Sequence, residues 1–181
     1  LGLAACGTKT ENGGSTGLKI GMVTDVGGVN DQSFNQGAWE GLQALANADK
    51  TFTVNYLESK TDADYASNIQ TFLDDKYDLI ICVGYMLANA TREAAQANPD
   101  QKFAIIDDNT NADLPNVACL MFSQQEASYL VGIVAGMMTK TNTVGYVQGM
   151  YSDSMNLFGI GYIAAQGDNG RAGLVADRGA G

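Results

Sequence analysis

Short apolar runs alternate with helical stripes along most of this chain, and that alternation leaves few folds open. Residues 18–24 read as a buried strand, after which Phe34, Ala38, Leu42, Leu45 and Ala46 recur at helix spacing. The pattern then repeats. A run at 52–57 precedes Tyr65, Ile69, Phe72 and Leu73 on one helical face; a run at 79–83 precedes a helix from about 87 to 97; a further run follows at 103–106. Residues 117–122 form one more strand, followed by a long helix whose core stripe is expected to be Ala127, Leu130, Val131, Val134, Ala135 and Met138. A last unit opens at 143–147, with a helix after it that reaches Ala165. Such βα alternation predicts an α/β fold with a doubly wound parallel sheet. In open sheets of this kind ligands sit beyond the carboxyl ends of the strands, which singles out residues 25–35, 84–86, 107–109 and 123–125.

Composition narrows the chemistry. The 181 residues contain no histidine, which removes the Ser-His-Asp triad, the Cys–His pair and imidazole metal sites. Twenty acidic side chains against ten basic ones give a net charge of −10, the wrong sign for a nucleic-acid polymer, whose sites need clustered Lys and Arg. A small ligand or a protein partner fits better. At 45% hydrophobic the chain can bury a core, and its length is one domain and a fraction of another at ~150 residues per domain. Cys82 and Cys119 lie in apolar runs and read as small buried hydrophobes in strands rather than metal ligands.

Cys6 reads differently. It follows Leu3-Ala4-Ala5 and precedes a polar stretch with Gly13-Gly14-Ser15, so Leu-Ala-Ala-Cys looks like a bacterial lipobox whose thiol receives a diacylglycerol. The alternative is an arbitrary apolar start. On the lipobox reading, residues 1–17 are a lipobox remnant and flexible tether, with the signal peptide upstream of what is shown. No stretch reaches the ~18 apolar residues of a membrane span.

The loop after the first strand carries the most information. Asp25-Val26-Gly27-Gly28 is followed by Ser33 with Gln36 three residues on, a possible capping box for the next helix. Glycines admit close backbone approach, and a helix start offers unpaired N–H groups. There is neither G-x-G-x-x-G nor Gly-Lys-Ser/Thr, so phosphate binding is disfavoured. Phe34 could stack on a planar ligand while the amide of Asn35 reads its edge; the competing role for Phe34 is to begin the core stripe of the helix.

These residues resemble a known family. Val23-Thr24-Asp25-Val26-Gly27-Gly28, then Asp31-Gln32-Ser33-Phe34-Asn35-Gln36 and Trp39-Glu40-Gly41-Leu42, are similar to the opening signature of the basic membrane lipoproteins, nucleoside-binding substrate receptors of bacterial ABC importers. Phe103 to Asp107, Phe122 with Glu126 to Gly132, and Val144 to Val147 with Gly149-Met150 extend the resemblance over about 19–162. It implies a periplasmic-binding-protein-like receptor that closes two lobes on a purine nucleoside of the inosine, guanosine and adenosine class and delivers it to an ABC permease. It also implies an anchor at Cys6 on the extracytoplasmic face of the cell membrane, with no enzymatic activity, cofactor or metal.

By the same resemblance, Phe34 matches the stacking ring, and Asp25, Asn35 and Asp107 match first-lobe polar positions. Gly84 and Tyr85 end the third strand at the same crevice. Helix capping and turn formation compete for Asp25 and Asp107. The expected domains are a first lobe at 18–141, the start of a second, truncated lobe at 142–165, and an atypical Gly-rich tail at 166–181. Two other readings remain: a receptor for a sugar or another signal molecule on the same fold, and a Mg-dependent enzyme gathering Asp25, Asp107 and Asp108.

Overall fold

The computed structural model describes residues 17–149, 151–168 and 174–178. Its elements follow the chain as β1 (Lys19–Val23), α1 (Phe34–Ala48), β2 (Thr53–Leu57), α2 (Asp64–Asp74), β3 (Leu79–Val83), α3 (Ala88–Ala97), β4 (Lys102–Ile106), β5 (Val117–Leu120), α4 (Gln124–Met138), β6 (Val144–Gln148), α5 (Asp153–Asp168) and β7 (Leu174–Arg178). A 3-10 turn, Tyr85–Leu87, joins β3 to α3. The expected anchor at Cys6 and nearly all of the tether lie outside the described residues.

The chain divides into two compact units. One holds the described residues up to Ile105 together with Asp113–Ala118; the other holds Ile106–Ala112 and the described residues from Cys119 onward. The expected boundary at 141/142 is therefore displaced. The reason is the partner of α4: its neighbour is α5, so it belongs with the second unit. Periodicity shows that a helix has a face to bury but not which element covers it.

In the first unit the strands stand in the order β2-β1-β3-β4-β5, with β1 parallel to both β2 and β3. Met22, Val23, Ile80, Val83, Phe103 and Ile105 are fully buried, as expected of central strands covered on both faces. Each such side chain contributes roughly 1.5–3 kcal/mol by leaving water. Tyr65, Ile69 and Phe72 of α2 and Leu42 of α1 complete the core, and Phe72 meets Tyr77 with ring centroids 4.6 Å apart. Cys82 is buried as expected, which pushes its thiol up to about 12 and leaves it inert; Cys119, on the edge strand β5, is only half-buried, contrary to expectation.

The second unit departs further. The expected stripe of α4 is not its buried face: Leu130, Val131, Val134 and Met138 are 59–75% exposed. The buried residues are Gln124, Ser128, Gly132 and Gly136. These small residues bring the backbones of α4 and α5 together. A methyl group on Gly132 would lie 2.7 Å from Ala165 Cβ, and one on Gly161 would collide with the carbonyl of Gln125. Side-chain donors then bond across the seam, Ser128 Oγ to the Phe158 carbonyl at 2.6 Å and Gln166 Nε2 to the Gly132 carbonyl at 2.8 Å. Tyr146 of β6 stacks on Tyr162. The expected tail at 166–181 contributes structure: α5 runs on to Asp168, and β7 pairs in parallel with β6. Leu174-Val175-Ala176 is too short an apolar run to be read as a strand in so glycine-rich a setting.

Candidate functional site

The strand order makes β1 and β3 adjacent while the chain departs from them in opposite directions across the sheet, so the crevice of this topology opens beyond their carboxyl ends. Asp25 and the loop to α1 follow β1; Gly84 and Tyr85 follow β3. Gly84 has φ +98°, a conformation that glycine alone adopts freely. A methyl group placed on it would sit 3.6 Å from Asp25 Oδ2 and 3.6 Å from Phe34 Cε1. An acceptor oxygen and a ring edge thus converge on one bare patch of backbone. Phe34 is 36% exposed, and the half-buried Tyr85 follows Gly84 immediately.

Asp25 Oδ1 is tied down. It accepts the Gly27 N–H at 2.9 Å and Asn35 Nδ2 at 2.7 Å. Asn35 itself is buried, 2% exposed. The expected capping box does not form, because Ser33 makes no side-chain cap bond. Asp31 does the capping: Oδ1 accepts the N–H groups of Ser33 (2.9 Å) and Gln36 (3.1 Å), and Oδ2 that of Asn35 (2.8 Å). Its negative charge also suits the positive end of the helix. Burial alone would raise the Asp31 carboxyl, but the N–H donors of Asn35, Gln36 and Ser33 outweigh it and hold the group below the ordinary aspartate value. Gln36 reaches back to the N–H of Gln32 instead of Ser33.

The loop is also held from β2. Glu58 accepts the Val29 N–H at 2.9 Å, and the Ser59 N–H reaches Thr24 Oγ1. Beneath it lies Tyr65, whose phenol is pushed up first by burial and then by the charges of Asp25 and Asp62. Asp31 and Glu58 were both missed from sequence. Asp31 carried a signal, an acid just ahead of a helix, whereas Glu58 meets the loop only through the parallel pairing of β1 with β2.

Asp107 belongs to the other unit and is described within it. Its φ of +64° is unusual for a side-chain-bearing residue, and such conformations persist only where surroundings impose them. Here the Asp107 N–H donates to the Leu120 carbonyl at 2.8 Å, while Oδ1 accepts Ser154 Oγ at 2.6 Å and Gln124 Nε2 at 3.2 Å. Ser154 and Gln124 are both buried. So Asp25, Phe34, Asn35 and Gly84 come together in one unit, and Asp107 acquires its own polar support in the other.

Chemically, the first-unit arrangement offers an aromatic edge and a carboxylate acceptor and no cation: residues 25–36 carry neither lysine nor arginine. It suits a neutral ring that bears N–H or O–H donors and repels a phosphate. Among the described residues, no three His, Cys, Asp or Glu side chains gather as a metal site. Nor is any helix among them long and apolar enough to cross a membrane.

A parallel α/β sheet with its crevice at this point is the architecture of the periplasmic-binding-protein-like solute-binding proteins. The solved structure of an ABC transporter solute-binding protein from Aeropyrum pernix superposes with a TM-score of 0.74 at 28% identity, covering 88% of this chain and 47% of that one. The chain belongs to the Bmp family, the PnrA-like ABC transporter substrate-binding proteins, whose profile matches residues 18–167. It is 42% identical over 172 residues to a CD4+ T-cell-stimulating antigen of Listeria monocytogenes, and 40% identical over 169 residues to the ABC transporter nucleoside-binding protein BmpA of Lactococcus lactis subsp. cremoris. Each match covers 90% of this chain and 48% of the relative, so the chain spans about half the length of these proteins.

Proposed function

We propose that this chain is the base-recognising part of a purine nucleoside receptor that serves an ABC importer. The observation that carries the reading is the convergence of Phe34 and Asp25 Oδ2 over Gly84 at the switch point of the sheet. In this reading a purine lies on the Phe34 ring. Its donors face Asp25 Oδ2, and the flat backbone at Gly84 lets it come close. The absence of lysine and arginine from residues 25–36 suits a nucleoside over a nucleotide. The 40% identical Lactococcus lactis relative bears a nucleoside-binding name, which supports the same class.

Asp107, set by Gln124 and Ser154, adds a further acceptor in the second unit, and Tyr85 borders the crevice beside Gly84. Capture is completed by closure of a second lobe, and the closed receptor hands its nucleoside to the permease. A diacylglycerol on Cys6 holds the protein at the extracytoplasmic face of the cell membrane, with residues up to 17 as tether. The protein binds and releases; it catalyses nothing.

The test is competition. Inosine, guanosine and adenosine are expected to displace one another, whereas hexoses and inosine monophosphate displace none of them. Phe34→Ala should weaken inosine binding by about tenfold to a hundredfold, since stacking a base on a ring contributes roughly 1–3 kcal/mol. Displacement by a hexose, or unchanged affinity in Phe34→Ala, counts against the reading.

A further inference from the structure

We infer that Asn35 and Asp31 are positioning residues that turn the Asp25 carboxylate toward the ligand, Asn35 acting through Asp25 and not by touching the ligand itself. The inference rests on the reading of Asp25 and Phe34 given above, and replaces the expectation from sequence that the Asn35 amide reads the ligand's edge.

Both hydrogens of the Asn35 amide are committed, one to Asp25 Oδ1 at 2.7 Å and the other to Asp31 Oδ2 at 3.2 Å. The opposite amide orientation would set its oxygen against two carboxylates with no hydrogen between them, so charge fixes which way the group faces. At 2% exposure the side chain offers a ligand no surface, and Oδ1 is enclosed without a partner among the described residues. A buried, half-satisfied amide is costly, and an apolar side chain of similar size would avoid that cost. The arrangement is explained by what it does to Asp25. With Oδ1 held by Asn35 and by the Gly27 N–H, the carboxylate has one oxygen inside the loop and Oδ2 out beside Gly84 and Phe34.

Asp31 holds the other end. Its three backbone bonds fix the first turn of α1, and its bond to Nδ2 sets the amide within that turn. The two roles are separable, because Asn35→Leu removes the amide and leaves the three backbone bonds in place.

The experiment uses the full chain, labelled with nitrogen-15. Without ligand, the Asn35 side-chain amide should exchange its hydrogens at least about tenfold more slowly than the exposed Asn89, and its resonances should move in both Asp25→Asn and Asp31→Asn. With inosine as the probe, Asn35→Leu should weaken binding about tenfold, and Asn35→Leu with Asp25→Asn should bind no more weakly than Asp25→Asn alone. Additive losses in that double variant, or an Asn35 amide that exchanges as fast as Asn89, overturn the proposal. Should the unaltered chain bind no inosine, the nucleoside reading fails, while the ligand-free exchange still decides whether Asn35 spans the two carboxylates.

Discussion

Asp31 shows how one carboxylate organises a loop. Its folded acidity lies below the ordinary aspartate value of 3.8 because N–H donors outweigh burial. Asp64 is lowered in the same way, by the N–H groups of Thr61 and Lys60 at the start of α2. A carboxyl more acidic in the folded than in the unfolded chain adds stability that is fully present above the unfolded value and is lost as pH falls through the folded one. Urea midpoints should therefore hold steady from neutrality to about pH 5 and drop below about pH 4, with Asp31→Asn showing a shallower acid limb. Coincident acid limbs in the two proteins would show that Asp31 is not stabilised as described. At this scale the sequence was informative in part. The placement of Asp25 and Gly84 just beyond β1 and β3 was legible, because turn residues follow buried strands, and Phe34 was legible as the start of α1. The burial of Asn35 was not, since an amide at the start of a helix reads as exposed until the carboxylates that enclose it are placed.

Among the elements, the central strands and α2 follow the apolar pattern closely, whereas α1 buries only Leu42 of its expected stripe and leaves Leu45 37% exposed. Central strands bury both faces, and α2 buries the stripe Tyr65, Ile69 and Phe72 that its spacing predicts. α4 breaks the rule. Hydrophobicity marks Leu130, Val131 and Val134, yet its contact with α5 runs through Ser128, Gly132 and Gly136, because only small residues allow two backbones to approach so closely. Period analysis weights apolar side chains and so passes over a seam made by their absence. Gly161→Ala should be destabilising by about 1–3 kcal/mol or more through the forced contact with the Gln125 carbonyl, whereas Gly145→Ala, with nothing within 4 Å, should shift stability far less. Chemical denaturation of the two variants measures this, and equal effects would contradict the close approach. The opposite face of α4 is apolar and open, with Leu130, Val131, Val134, Met137 and Met138 59–75% exposed.

For the molecule as a whole, membership of the Bmp family and the receptor fold are settled by the match over residues 18–167 and by the solved solute-binding proteins. The division of the chain was less legible. Where a single boundary at 141/142 was expected, the compact units divide at 105/106, 112/113 and 118/119, because the partner of α4 lies in sequence still to come. The most direct measurement is an isothermal titration of the full chain with inosine, repeated in excess glucose. The account predicts saturable one-to-one binding that glucose leaves unchanged. A folded chain that gives no heat with inosine, or whose inosine binding is abolished by glucose, would contradict it.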